Sequence, residues 1–143
     1  MGATLRVYLE ALDAFGDLNG DGVDDAAVIL VHDAARPCIC DLWIDEVFAA
    51  AEKSGAAILA LPVDGTLKRV DGKRIVETVV RSRLWEAQTP QVFRRQLIVE
   101  AYEKRGAEPA SDDAQLVERL GKEVTIVRGS RINLKITTRE DLR

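Results

Sequence analysis

The chain has 143 residues, of which 47% are hydrophobic and 31% are charged. This length and composition predict one globular domain with its own core, and they argue against a disordered chain. The formal net charge of −4 argues against a nucleic-acid partner, because surfaces that bind nucleic acids are usually basic. Apolar runs such as residues 26–31 are too short to cross a bilayer, so we expect no membrane partner.

Two cysteines and a single histidine narrow the chemistry further. Cys38 and Cys40 are one residue apart, a spacing that rarely permits an unstrained disulfide and that makes a poor zinc site without further ligands. Residues 1–15 show no secretory signal. We therefore expect reduced thiols and a cytoplasmic protein. A Ser-His-Asp arrangement would have to use His32, and no serine lies in a turn typical of a nucleophile.

The N-terminal part predicts a helix, a polar loop and a strand. Residues 3–15 have the apolar spacing of a helix. A loop rich in glycine, aspartate and asparagine follows over residues 16–25. The continuous apolar run 26–31 is typical of a parallel strand that is covered on both faces.

The polar loop also has the alternating oxygen ligands of a calcium-binding loop. The candidate ligands for Ca²⁺ are Asp17, Asn19, Asp21 and Asp25. Gly22 would permit the sharp turn that such loops need. The stretch is similar to the calcium loops of integrin-type propeller repeats, which recur many times, whereas this one occurs once. The sequence leaves two alternatives open, a calcium site and a solvated acidic connector.

The middle of the chain predicts a helix and a second strand. Residues 41–54 have a helical apolar face, with Asp41 as the capping residue and Gly55 as the end of the helix. Residues 56–61 are continuously apolar, as expected for another strand covered on both faces.

A β-hairpin and further α and β elements follow. Alternating polar and apolar residues on both sides of Asp71-Gly72 predict the hairpin. Because it is so polar, we expect it to project as an arm over about residues 62–81. The remaining elements are helices at residues 94–105 and 112–120, a strand at 124–127 and a helix starting at Thr138. Together they predict a single α/β domain over residues 1–143, with a mainly parallel sheet.

The end of the first predicted strand carries the run Val31-His-Asp-Ala-Ala-Arg-Pro37. Open α/β sheets bind ligands just beyond the carboxyl ends of their strands. Asp33 could hold a divalent metal there, and Arg36 could hold a phosphate or orient the carboxylate. On these residues alone, an Asp–Arg pair that only caps the strand is an equally open alternative.

Three later segments also concentrate hydroxyl, amide and basic groups. They are Thr66 with Lys68, then Arg81 with Trp85 and Gln88–Gln91, and finally Asn133–Thr137. Lysine and arginine in such groups bind phosphate, lysine as a mobile point charge and arginine as a bidentate fork. For each segment taken separately, surface ion pairs and turns are the alternative.

Taken together, four segments resemble the signature segments of the 2-C-methyl-D-erythritol 4-phosphate cytidylyltransferase family. They occur in the family's order, at Val31–Pro37, Leu84–Gln91, Asp112–Ala114 and Asn133–Thr137. The resemblance covers roughly residues 26–143. It implies a Rossmann-like nucleotidyltransferase sheet and the transfer of a cytidylyl group from CTP to a sugar-alcohol phosphate. Pyrophosphate is released, in non-mevalonate isoprenoid biosynthesis.

The resemblance also implies roles for single residues. Asp33, Arg36 and Lys135 would be the catalytic residues, with Asp33 helping to hold Mg²⁺. Thr89 would line the substrate together with Lys135, and Ser111 stands where the family usually has a threonine hydroxyl. Neutralising charge on phosphate oxygens in this way requires no covalent enzyme intermediate.

The arm would serve a homodimer. The resemblance places Thr66 and Arg81 where the family grips the substrate phosphate across a dimer interface. The sequence departs from the family here, because Gly65 separates Asp64 from Thr66 and because Val80 replaces a common acidic residue.

A larger departure concerns the start of the chain. The family begins with a strand and a Gly-rich loop that cradles the CTP phosphates, and nothing in residues 1–30 matches that loop. We therefore expect a family member whose N-terminal part is missing and that is inactive alone. Two alternatives are a non-catalytic α/β binding or dimerisation module and a calcium-dependent extracellular module. The absence of a signal peptide and the unpaired thiols disfavour the second of these.

Overall fold

The computed structural model describes residues 6–8 and 27–142. In chain order, the elements of this part are β1 (Arg6–Tyr8), β2 (Val28–Asp33), α1 (Asp41–Ser54), β3 (Ala56–Pro62), β4 (Leu67–Asp71), β5 (Arg74–Val79), β6 (Trp85–Arg94), α2 (Arg95–Glu103), α3 (Asp113–Arg119), β7 (Thr125–Arg128) and a 3₁₀ turn (Glu140–Leu142). None of the helices described is long and apolar enough to cross a membrane.

Five strands form one mixed sheet in the order β1-β2-β6-β3-β7. β2, β3 and β7 run in the same direction, and β7 pairs with β3 in parallel. β6 lies between β2 and β3 and is antiparallel to both. The α/β class and the shared direction of the three predicted strands are confirmed. Only the pairing of β3 with β7 is parallel, because β6 and β1 run the other way, so the sheet is mixed and not mainly parallel.

β6 is a strand that the sequence does not predict, because Pro90 lies within it. Proline interrupts a hydrogen-bonded ladder and argues against a central strand. The structure accommodates it at an irregularity: Ile58 of β3 pairs with Gln91, and the next pair, Ala60 with Ala87, is out of register with it. The Thr89–Pro90 peptide bond is cis. Pro90 therefore lies where the ladder between β3 and β6 is already broken.

The core has two parts, one on each face of the sheet. The side chains of Ile58 and Phe93 pack against buried residues of α2 and α3. Leu59 and Val92, the neighbours of these residues along the same strands, pack on the other face against α1. Successive side chains of a strand point to opposite faces, so a strand with helices on both sides must be apolar throughout. This confirms the interpretation of residues 56–61.

The helix ends follow the sequence closely. Gly55 ends α1 in the left-handed conformation at φ 90°, as predicted. Asp41 was expected to cap this helix, but it is the first helical residue, and Cys40 occupies the capping position without a side-chain hydrogen bond. In the first turn, the Asp41 carboxylate still interacts favourably with the helix dipole. Asp112 caps α3 by accepting a hydrogen bond from the Gln115 N–H.

The helix predicted over residues 3–15 is wrong at Arg6–Tyr8. These residues form β1, which pairs antiparallel with Val31–Asp33 of β2. Backbone pairing at an open sheet edge satisfies N–H and C=O groups of both strands, and this outweighs a weak local helical preference. The rest of the predicted helix and the candidate calcium ligands Asp17, Asn19, Asp21 and Asp25 lie outside the described residues, so the calcium site stays a prediction.

The hairpin of β4 and β5 is confirmed, and we call residues 67–79 the arm. The two strands form a separate two-stranded sheet with Gly72 in its turn at φ 58°. Every arm residue except Val79 is exposed. Cross-strand contacts such as the Arg69–Glu77 ion pair hold the strands together. The helix predicted from Thr138 is realised as the 3₁₀ turn Glu140–Leu142.

Candidate active site

A cleft of about 330 Å³ lies where β2 parts from β6. The ladder between these strands ends at the pair Val31–Gln91, and beyond it the side chains turn into the opening. The residues that line the cleft are Val31, His32, Asp33, Arg36, Ala87, Gln88, Thr89, Gln91, Ser111, Asp112, Asp113 and Lys135. Its size and its mixture of apolar walls and convergent polar groups fit a small polar ligand.

The cleft brings together five of the seven residues predicted for the active site. Asp33 and Arg36 come from the end of β2 and the turn after it, and Thr89 comes from β6. Ser111 precedes α3, and Lys135 lies in the segment after β7. Segments distant in the sequence therefore supply groups to the edge of the sheet where β2 ends.

Thr66 and Arg81 are the two predicted residues that the cleft does not include. They flank the arm, and both are exposed. Asp64, displaced by one residue relative to the family pattern, forms an exposed ion pair with Arg131. The fold of a single chain therefore does not bring Thr66 or Arg81 to this cleft.

Asp33 and Lys135 form an ion pair within the cleft. Lys135 Nζ lies 2.5 Å from Asp33 Oδ2, and the Asp33 side chain is only 11% exposed. The other carboxylate oxygen, Oδ1, accepts a hydrogen bond from the Ala35 N–H at 3.1 Å. Burial alone would raise the pKa of Asp33, but these two hydrogen bonds and the charges of Lys135 and Arg36 outweigh it. The pKa of Asp33 is therefore below its ordinary value.

Arg36 is buried and holds two segments together. Its Nη1 donates to the Asn133 carbonyl at 2.6 Å, and its backbone N–H donates to the Asp33 carbonyl at 2.9 Å. Burial lowers the pKa of its guanidinium, against the opposing charges of Asp33 and Glu86. Because Ile136 also bonds to the Ala35 carbonyl, the turn after β2 and the segment with Lys135 form one unit.

Beyond the last backbone pair of β2 and β6, the Thr89 side chain provides the hydrogen bond between the two strands. Its hydroxyl oxygen accepts a hydrogen bond from the Asp33 N–H at 2.9 Å and lies 3.0 Å from His32 Nδ1. His32 Nε2 lies 3.0 Å from the Arg36 carbonyl. The imidazole and the hydroxyl thus bridge β6 to the turn that carries the candidate catalytic residues.

Gln91 and Asn133 are buried supports that the sequence indicated only as members of motifs. Gln91 Nε2 donates to Asp112 Oδ2 at 2.9 Å, and Gln91 Oε1 accepts from the Ala114 N–H at 3.1 Å. Asn133 Nδ2 donates to the Thr89 carbonyl at 2.8 Å. In the sequence, the signal for such a support is a polar residue among apolar strand residues. Its hydrogen-bond partners come from distant segments, so only the folded structure identifies them.

Asp33 is the carboxylate of the cleft that the sequence assigns to a cation. Within residues 6–8 and 27–142, no three histidine, cysteine or acidic side chains converge as a metal-binding group. Asp33, one of three carboxylates that line the cleft, nonetheless suits Mg²⁺, which commonly takes one or two protein carboxylates and completes its shell with water and substrate phosphates. The residues therefore fit a cation that a phosphorylated ligand helps to hold.

Comparison with known proteins gives one consistent family. The model of the 2-C-methyl-D-erythritol 4-phosphate cytidylyltransferase family matches residues 16–143. The protein of that name from Bacillus velezensis is 49% identical over 124 residues, which cover 84% of this chain and 53% of the relative. The relative from Shouchella clausii is 45% identical over 123 residues, 85% of this chain and 54% of the relative. The chain thus spans about half the length of these curated relatives.

Solved structures agree with the sequence matches. The 2-C-methyl-D-erythritol 4-phosphate cytidylyltransferase from Thermus thermophilus superposes with a TM-score of 0.75 at 43% identity, over 80% of this chain and 58% of that one. The protein of the same name from Francisella tularensis superposes with a TM-score of 0.73 at 33% identity, over 84% of this chain and 59% of that one. The nucleotidyltransferase fold that the sequence predicts is confirmed.

Proposed function

We propose that this chain, which belongs to the 2-C-methyl-D-erythritol 4-phosphate cytidylyltransferase family, provides the substrate-binding part of an enzyme of that activity. The enzyme transfers a cytidylyl group from CTP to 2-C-methyl-D-erythritol 4-phosphate and releases pyrophosphate. The observation that carries the proposal is the Asp33–Lys135 pair, which lies in a cleft shared with Thr89 and Ser111.

The reaction needs positioning and charge neutralisation more than covalent chemistry. An oxygen of the sugar phosphate forms a bond to the α-phosphorus of CTP, and the bond between that phosphorus and the β-phosphate bridge breaks. Lys135 supplies a mobile positive charge for these oxygens. Arg36, held by Asn133, keeps the two segments of the cleft in register. Preorganised charges of this kind act where negative charge develops.

Magnesium is proposed as the cofactor, with Asp33 as its protein ligand. When bound, Mg²⁺ would neutralise phosphate charge and orient the reacting phosphate. Lys135 Nζ contacts Asp33 Oδ2 at 2.5 Å. A phosphorylated ligand that draws Lys135 away would therefore expose this oxygen. The Ala35 N–H keeps the carboxylate oriented through the exchange.

We further propose a homodimer in which the arm reaches a second copy. The arm exposes Val70, Ile75 and Val76, each more than half exposed, and two-stranded sheets rarely leave such side chains in water. The partner's arm would bring Thr66 and Arg81 to the cleft that their own chain's arm does not reach.

Cys38 and Cys40 are exposed free thiols, and this supports a reducing compartment such as the cytoplasm.

Joining this chain to the part of a full-length relative that it does not match tests the proposed activity. We expect the fusion to release pyrophosphate from CTP in the presence of 2-C-methyl-D-erythritol 4-phosphate and Mg²⁺. The same fusion with Lys135→Met is the control, and its activity should be lost. A folded fusion that binds the sugar phosphate but never transfers would instead favour a non-catalytic binding module.

Shortening the hairpin tests the homodimer separately. We expect sedimentation to show a dimer for the intact chain and a monomer when residues 68–77 are replaced by a tight turn. A variant with Lys73→Ala in the exposed turn keeps both strands and should remain dimeric. A dimer that survives the shortening would place the interface elsewhere.

A further inference from the structure

The His32 imidazole lies between a backbone carbonyl and a side-chain hydroxyl. Its Nε2 is 3.0 Å from the Arg36 carbonyl oxygen. A carbonyl oxygen only accepts hydrogen bonds, so Nε2 must carry the hydrogen. A neutral imidazole has a single N–H, and Nδ1 is therefore left as an acceptor. The surroundings of the ring select one tautomer.

The Thr89 hydroxyl is constrained in turn. Its oxygen lies 3.0 Å from His32 Nδ1 and 2.9 Å from the Asp33 nitrogen. The Asp33 N–H can only donate, so Thr89 Oγ1 accepts from it. The single hydroxyl hydrogen of Thr89 then points to Nδ1, where it meets an acceptor. One lone pair of Oγ1 remains without a partner in these two contacts, and Thr89 lines the cleft.

We propose that His32, with its ring neutral, is a positioning residue that fixes the direction of the Thr89 hydroxyl, so that Thr89 offers the cleft an acceptor and no donor. Asn133 strengthens the arrangement, because its Nδ2 holds the Thr89 carbonyl at 2.8 Å. The Thr89 backbone and side chain are thus both held in place. Without His32, the hydroxyl hydrogen could rotate towards a ligand.

The direction of the Thr89 hydroxyl determines which part of a ligand can face it, and this step rests on the proposed function. An acceptor oxygen attracts the hydroxyl groups of a sugar alcohol and repels phosphate oxygens, which carry no hydrogen. Lys135, on the same cleft, offers only donors and a positive charge. The polyol therefore faces Thr89, and the phosphate oxygens face Lys135.

Nitrogen-15 NMR of the complete chain tests the tautomer directly. Since His32 is the only histidine, the imidazole region contains the signals of one ring. We expect a protonated Nε2 and a hydrogen-bonded, unprotonated Nδ1 at alkaline pH. Thr89→Val should move the Nδ1 resonance towards that of a nitrogen without a hydrogen bond. Thr125→Val, the same change on half-buried β7, should leave it unmoved. A ring protonated at Nδ1, or an Nδ1 signal insensitive to Thr89→Val, would overturn the proposal.

A double-mutant cycle tests the action through Thr89. The probe is 2-C-methyl-D-erythritol 4-phosphate, with its affinity measured by calorimetry. We expect His32→Phe to weaken binding about two- to tenfold when Thr89 is present and to change nothing further in the Thr89→Val background. Equal losses in both backgrounds would contradict a positioning role. If the unmodified chain does not bind the probe, the proposed function fails, and the NMR experiment still decides on His32.

Discussion

The cleft and the arm differ in what holds their side chains in place. In the cleft, buried Arg36, Gln91 and Asn133 each join segments that are far apart in the sequence. In the arm, pairs such as Lys68–Thr78 are exposed and join only adjacent strands. A buried polar group that loses its partner costs about 1–3 kcal/mol, whereas exposed pairs are worth about 0–1 kcal/mol. The geometry of the cleft is thus coupled to the stability of the whole fold, and that of the arm is not.

The residues predicted for the active site therefore fall into two groups. Asp33, Thr89 and Lys135 are brought together by folding of a single chain. Thr66 and Arg81 remain exposed after folding, and in the proposed homodimer a second copy would complete their surroundings. Substitutions in the first group should affect chemistry or stability, and substitutions in the second group should affect ligand binding while leaving stability unchanged.

The largest effect is expected from Asp33→Asn in the active fusion. The amide keeps an oxygen for the Ala35 N–H but loses the charge that pairs with Lys135 and would hold a cation. We expect pyrophosphate release to fall about a hundred- to a thousandfold, with only a small loss of stability. Asp45→Asn on the exposed face of α1 is the matched control. Turnover at the normal rate would show that Asp33 has only a structural role.

Arg81→Ala should weaken binding of the sugar phosphate about ten- to a hundredfold, as expected for loss of a charge-assisted contact. Because Arg81 is exposed, the melting temperature should not change. Calorimetry measures the affinity, and Arg83→Ala, an exposed arginine two residues away, is the control. Equal affinities for the unmodified protein and the Arg81 variant would show that Arg81, at the base of the arm, does not bind the sugar phosphate.

Gln91→Leu and Lys68→Met compare the two regions by stability. The first change leaves Asp112 Oδ2 and the buried Ala114 N–H without the Gln91 amide. We expect its free energy of unfolding to fall by about 2–3 kcal/mol. The second removes only an exposed contact to Thr78, and we expect a change within about 0.5 kcal/mol. Urea denaturation measures both, and similar losses would contradict the distinction between cleft and arm.

The smallest effect concerns pH. The pKa of Asp33 in the folded protein lies below its ordinary value, which is about 3.9 in an unfolded chain. The ionised carboxylate therefore stabilises the fold above about pH 4, and this contribution disappears as the pH falls through the folded-state pKa. We expect the stability difference between the unmodified protein and Asp33→Asn to narrow from about pH 7 to about pH 3. A difference that stays constant over this range would mean that the Lys135 contact has no net effect.

The sequence by itself determined the elements whose signals are local. Continuous apolar runs predicted β2 and β3, because a strand covered on both faces has no polar side. Gly55 predicted the end of α1, since only glycine adopts a positive φ without strain. Asp71-Gly72 predicted the turn of the arm in the same way. The motif around Asp33 predicted the edge of the sheet at which the cleft lies.

Only the tertiary structure decided the elements and contacts that depend on distant partners. β6 was not predicted, because its proline is tolerated only where the ladder to β3 is irregular. Arg36 lines the cleft as predicted from its motif, but its partner Asn133 lies 97 residues later and reaches it only on folding. The direction of the Thr89 hydroxyl depends on a histidine 57 residues away. A hydrogen bond needs both its donor and its acceptor, and in each of these cases the second group reaches the first only when the sheet has formed.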